Sequence, residues 1–136
     1  MMKPMGTEQT TFPQFISAGH ILTNIIRTDV SSWLSRPDGA GWNVARAVAR
    51  PGLPTACEGS VGTDNFSDDL WEASVAAGLD MRFIQRAQRP SLLAIVYMTG
   101  PPTYYYVGEN GADLTFDPSN LPQGWMERAK WVHFGA

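Results

Sequence analysis

At 136 residues the chain can build one domain around a single hydrophobic core and is too short for two. Its 43% apolar and 17% charged residues make a globular profile rather than a disordered one. A net charge of −3, with no run of Lys or Arg, gives no basis for a nucleic-acid partner.

Cys57 is the only cysteine, so neither an intrachain disulfide nor a cysteine-based zinc cluster can form, and a lone thiol fits a reducing cytoplasm. No stretch approaches the roughly 20 apolar residues that span a bilayer, and no membrane contact is expected. Residues 1–13, polar and punctuated by proline, read as a disordered leader ahead of a folded part at 14–136.

Phe15 to Gly19 is a short strand signal that Ile21 to Ile26 continues. Thr28 to Asp38, with Ser31, Ser32, Ser35 and Pro37, reads as a loop. Trp42 to Arg50 reads as a helix, because Val44, Ala45, Val48 and Ala49 recur at helical spacing and Pro51-Gly52 stops it. Leu53 to Gly59 is a second strand. Asp64 is placed to cap a helix from Asn65 to Ala77, with Phe66, Leu70, Trp71, Ser74 and Ala77 near one face and Gly78 closing it. Met81 to Ile84 is a weaker strand. Ser91 to Met98 and Thr103 to Val107, separated by Thr99-Gly100-Pro101-Pro102, form a hairpin signal. Gln123 to Ala129 suits one or two helical turns, and Lys130 to Phe134 reads as a last, buried strand. This alternation argues for a parallel α/β layer carrying an antiparallel appendage.

The densest chemical signal is Asp38-Gly39-Ala40-Gly41-Trp42-Asn43-Val44-Ala45. Its glycines allow close approach of backbone to a ligand, and they lead into a helix whose first amides can face polar oxygens. Asn43 offers a donor and an acceptor to a polyhydroxyl compound. A glycine turn before an ordinary packing helix explains the stretch equally well. A dinucleotide fingerprint fails at its third glycine, where Val44 stands, and a phosphate-cradling loop fails because Gly-Lys-Ser/Thr is absent.

A longer series resembles a known family. Gly39-Ala40-Gly41-Trp42-Asn43-Val44-Ala45 is followed by Ala49-Arg50-Pro51-Gly52 and by Gly59-Ser60-Val61-Gly62-Thr63-Asp64-Asn65-Phe66 with Leu70. Together they resemble the N-terminal signature of ribokinase-like (PfkB) carbohydrate kinases. Ala76-Ala77-Gly78-Leu79-Asp80, Tyr104 to Asp113 and Trp131-Val132-His133-Phe134-Gly135 are similar to later pieces of the same pattern. The resemblance implies a ribokinase-like, Rossmann-like parallel sheet flanked by helices, with a β-hairpin lid, truncated before the nucleotide-binding half.

It also implies a sugar site at the C-terminal ends of the strands. The family's first strand usually ends in an Asp that binds sugar hydroxyls, and Asn24 stands at that place, able to donate and accept but without the charge. Gly39, Ala40, Gly41 and Asn43 occupy the glycine-rich substrate loop, and Asp38 stands near the position of its first glycine. Glu109, Asn110 and Asp113 follow the hairpin, where some relatives contact substrate with an Arg. The 14 residues between Asn24 and Gly39 are fewer than the family usually has there, which implies a reduced lid. The hairpin of residues 91–107 suggests a homodimer contact. Tyr104, Tyr105 and Tyr106 would alternate across a strand rather than form one stacking platform. His20 and His133, both beside strand signals, read as structural.

The family's phosphoryl-transfer segment is a D-T-x-G-A-G-D pattern whose last Asp is the general base. It does not occur up to Ala136. The resemblance therefore implies ATP and Mg2+ for a full-length parent, a sugar as small-molecule substrate, and for this chain no catalytic residue, no metal ligand and no activity of its own. A nucleoside kinase of the same family, or a non-catalytic sugar-binding or dimerisation module, are the alternatives.

Overall fold

A computed structural model describes residues 11–135. In chain order the elements are strands β1 (Phe15–Ala18), β2 (Leu22–Arg27) and β3 (Trp33–Asp38), helix α1 (Ala40–Ala49), strand β4 (Thr55–Val61) and helix α2 (Asn65–Ala76). Strands β5 (Ile84–Arg86), β6 (Leu93–Tyr97) and β7 (Thr103–Val107), the single-turn helix α3 (Trp125–Arg128) and strand β8 (Trp131–Phe134) complete the series. They form two sheets.

The main sheet is parallel, in the order β5-β4-β1-β8. One face is covered by α1 and α2, where Trp42, Ala45, Cys57, Leu70, Leu79 and Ile84 pack together. On the other face Ile16, Ala56, Phe83 and Leu121 gather, with Trp125 of α3 edge-on to Phe83 at 6.0 Å. Burial on both faces is what a parallel sheet requires. Trp42, fully buried, satisfies its indole N–H by donating to Ser74 Oγ at 2.8 Å and so ties α1 to α2.

The second sheet runs β3-β2-β6-β7, parallel between β2 and β6 and antiparallel at both edges. The expected hairpin is thus half of a four-stranded lid. Two expectations are corrected here. Phe15 to Ile26 is not one strand: the chain crosses between sheets at Gly19-His20, where a Cβ on Gly19 would lie 2.7 Å from the Gly135 carbonyl oxygen and 3.2 Å from Gly41 Cα. Thr28 to Asp38 is not a loop: after a tight turn closed by Thr28 N–H to the Ser32 carbonyl at 2.9 Å, residues 33–38 pair with β2. Pro37 hides this strand in the sequence but is tolerated because β3 is an edge.

Smaller departures follow. Met81 to Phe83 is a 3-10 turn, and the strand begins at Ile84. β8, expected to be buried, is an edge strand whose Trp131, Val132 and Phe134 are exposed among the described residues. The expected leader lies mostly outside the described residues; of its end, Pro13 is buried and the Phe12 ring lies under the guanidinium groups of Arg82 and Arg128.

Asp64 does cap α2, accepting from Ser67 N–H at 2.8 Å, and Gly78 ends the helix region at φ 77°. Asp64 also accepts from Ser91 N–H at 2.8 Å and Ser91 Oγ at 2.7 Å, anchoring the base of the lid to α2. Burial raises its pKa, but the hydrogen bonds from Ser91 and Ser67 outweigh this and hold the carboxyl below its ordinary value. A group whose pKa is lowered on folding contributes stability above its unfolded pKa and loses it as pH falls through the folded value. Asp64→Ala is therefore expected to cost about 1–2 kcal/mol at neutral pH. In urea melts the gap from wild type should close as the pH drops below about 4; a gap independent of pH would show that the carboxylate is not the stabilising group.

Candidate functional site

Beneath the lid, at the C-terminal ends of β1 and β8, lies a cleft of about 340 Å3. Open α/β sheets place ligands at that edge. Asn24, Asp38, Asn43 and the backbone of Gly39 and Ala40 make its polar wall, and Tyr104 and Tyr106 close it from β7.

The polar wall is built by pairing. The registers Leu22↔Asp38 and Asn24↔Arg36 put Asn24 and Asp38 on the same face of neighbouring strands, toward the cleft. Asp38 then collects three donors. Asn24 Nδ2 donates to its Oδ2, while Asn43 Nδ2 and Gly39 N–H donate to Oδ1 at 2.5 and 2.7 Å. Each amide gives one N–H to this carboxylate, which fixes its orientation and leaves its carbonyl oxygen as an acceptor. The result is a charged acceptor flanked by two neutral ones, a pattern that hydroxyl donors match. Gly39 precedes α1 without a side-chain cap, so the first amides of that helix compete with no side chain for a ligand oxygen.

Glycine is required at Gly39, where φ is 136° and a Cβ would fall 2.0 Å from the His20 carbonyl oxygen. Gly41 serves packing instead. It is buried, and a Cβ there would sit 3.1 Å from the Ala18 carbonyl oxygen and from Gly19 Cα. It lets α1 approach β1 and does not line the cleft.

The structure brings Asn24, Gly39, Ala40 and Asn43 together. Asn24 sits as the third residue of β2 in the lid, not at the end of β1. Glu109 is elsewhere, lining a separate cavity of about 580 Å3 with Asp64, Phe66 and Leu93. Asn110 is exposed in a turn at φ 55°. Asp113, on a 3-10 turn, has a buried Oδ1 with no hydrogen-bond partner.

Four lining residues, Asp38, Tyr104, Tyr106 and His20, are not evident from the sequence. Asp38 stands there only near the first-glycine position; its part in the wall needs β3 to exist. Tyr104 and Tyr106 do alternate with Tyr105, which packs edge-on to Tyr97 at 6.0 Å on the opposite face, yet two of the three share the cleft side. His20, expected to be structural, is exposed on the cleft rim. His133 is structural, with Nδ1 at 3.0 Å from Ser17 Oγ and its ring stacked on Phe15. Cys57 is no nucleophile, because burial, reinforced by the charge of Glu58, pushes its thiol up to about 12.

Among the described residues no group of three or more His, Cys, Asp or Glu could hold a metal ion, and no helix is long and apolar enough to cross a membrane. Among the described residues no carboxylate cluster forms an all-protein Mg2+ cage, and no glycine-lysine cradle for nucleotide phosphates occurs in the sequence.

A parallel α/β layer, a second β-sheet set as a lid over its C-terminal edge and a glycine turn leading Asn43 into the cleft define a ribokinase-like kinase fold. The model of the pfkB family of carbohydrate kinases matches residues 16–136, and the chain belongs to that family. It is 28% identical over 121 residues to the aminoimidazole riboside kinase of Salmonella typhimurium and 31% identical over 99 residues to a fructokinase of Rhizobium leguminosarum. These matches take in 87% and 72% of this chain but only 37% and 30% of those relatives. Among solved structures, the fructokinase of Xylella fastidiosa with bound ATP superposes with a TM-score of 0.81 at 26% identity, over 90% of this chain and 39% of that one. The chain thus spans well under half the length of the relatives it matches.

Proposed function

We propose that this chain supplies the acceptor-binding half of an ATP-dependent carbohydrate kinase, holding a sugar whose hydroxyl is to be phosphorylated. The observation that carries this reading is the Asn24–Asp38–Asn43 constellation under the lid. Asp38 accepts a sugar hydroxyl in a charge-assisted hydrogen bond, and the two asparagine carbonyl oxygens accept from its neighbours. The lid, with Tyr104 and Tyr106, excludes water over the sugar ring. In this reading these 136 residues bind sugar without turning it over, the general base being assigned by the family resemblance to a D-T-x-G-A-G-D segment that is not among them. The lone, buried Cys57 suits a reducing cytoplasm.

Calorimetric titration with ribose, fructose and nucleosides tests the binding, and a coupled ADP-release assay tests the inactivity. Sugar binding with no turnover is expected. Turnover by the purified 136-residue protein would refute the second half of the proposal; no heat with any sugar or nucleoside would refute the first. A nucleoside acceptor is the second reading. It is favoured by Tyr104 and Tyr106 on one cleft face, where aromatic rings can stack on a base, and one relative is a riboside kinase by name.

A further inference from the structure

A second cavity, of about 440 Å3, adjoins the first beneath the β3 edge of the lid and shares Asp38 and Asn43 with it. Its distinctive lining is Arg36, on β3, and Arg46, on α1. The register Asn24↔Arg36 puts Arg36 on the same lid face as Asn24 and Asp38. Arg46 is held in place: its guanidinium lies 4.3 Å from the centre of the Trp42 ring, and Trp42 is itself pinned to Ser74. Neither arginine has an anionic partner among the described residues, where the ion pairs are Arg82–Asp80 and Arg86–Asp68. Asp38 is the one carboxylate in the cavity lining, and its oxygens are already engaged by Asn24, Asn43 and the Gly39 amide.

Two guanidinium groups against the single carboxylate of Asp38 leave this cavity with an excess positive charge in a chain of net charge −3, which favours an anionic ligand there. A guanidinium presents a planar fork of donors that fits the paired oxygens of a phosphate or carboxylate. The shared wall fixes where the rest of such a ligand lies: its hydroxyls would face Asp38 and Asn43 while its anionic end faces the arginines. We infer that Arg36 and Arg46 form an oxyanion subsite and that the acceptor is an anionic sugar, a sugar phosphate or a sugar acid. This inference rests on the carbohydrate reading above and narrows its substrate class.

Calorimetry on the purified protein at low salt, with fructose, fructose 6-phosphate and gluconate as probes, separates the possibilities. One of the two anionic sugars is expected to bind at least about tenfold more tightly than fructose, and which one does tells phosphate from carboxylate. The double variant Arg36→Met, Arg46→Met should reduce that preference to under about threefold, and Arg36→Lys, which keeps the charge without the fork, should retain part of it. Both arginines are exposed, and a thermal melt verifies that the variants remain folded. The inference is overturned if neither anionic sugar binds more tightly than fructose, or if the preference survives the double substitution. In those cases fructose binding leaves the carbohydrate reading standing, whereas silence with every probe overturns both.

Discussion

Asp38→Ala is expected to weaken sugar binding by about 10- to 100-fold, the largest effect of any single side chain in the cleft. A hydrogen bond to a charged group contributes about 1.5–3 kcal/mol, and each 1.4 kcal/mol is a factor of ten in affinity. Here the loss is compounded, because Asn24 and Asn43 are both oriented by this carboxylate. Without it their amides turn freely and must be ordered again on binding. Asn24 and Asp38 lie on one face of paired strands and touch through their side chains, so exchanging them would keep a carboxylate at the same contact while moving it from β3 to β2. The double exchange Asn24→Asp, Asp38→Asn should therefore recover most of the affinity that Asp38→Ala loses. Asn24→Asp alone should not help, since two carboxylates would then meet where one accepts from an amide now. Calorimetry on the four proteins decides it: an Asp38→Ala variant that binds sugar like wild type would remove Asp38 from the site.

The legibility of this site follows sequence distance. Gly39 and Asn43 lie four residues apart in one turn, so local rules are enough to see a glycine delivering an asparagine into a cleft. The Asp64 cap and the Gly78 stop are readable for the same reason. Asp38 is not, because its partner Asn24 is 14 residues away and meets it only once β2 and β3 pair. The strand carrying it has Ser, Arg, Pro and Asp where a strand signal would need alternating apolar residues. That composition is tolerated because β3 is an edge with one neighbour. The tyrosines of β7 show the converse. Period-two alternation is evident from the sequence, but which of the two faces looks on the cleft depends on the pairings Ala94↔Tyr106 and Val96↔Tyr104. Glu109 earns its place only from a family-like series, and three residues beyond Tyr106 the chain has already turned to the other cavity.

Gly39→Ala is expected to be the most damaging substitution for the fold, by about 3 kcal/mol or more. Two costs add. Holding a non-glycine residue at φ 136° costs on the order of 1–3 kcal/mol. The new methyl group would also stand 2.0 Å from the His20 carbonyl oxygen, a backbone atom that cannot swing aside. Either the end of β3 or the Gly19-His20 crossover between the sheets must shift, and both adjoin the cleft. Gly52→Ala is the matching control: its φ is 98°, but nothing lies within 4 Å of the added carbon, so it bears backbone strain without collision. Thermal melts should place Gly39→Ala well below Gly52→Ala, by several degrees. Any Gly39→Ala protein that still folds should bind sugar poorly, because moving residue 39 withdraws its amide from Asp38. Equal melting temperatures for the two variants would mean that the crossover yields readily. The lid would then be hinged at a soft joint rather than fixed by Gly39 against the body of the domain.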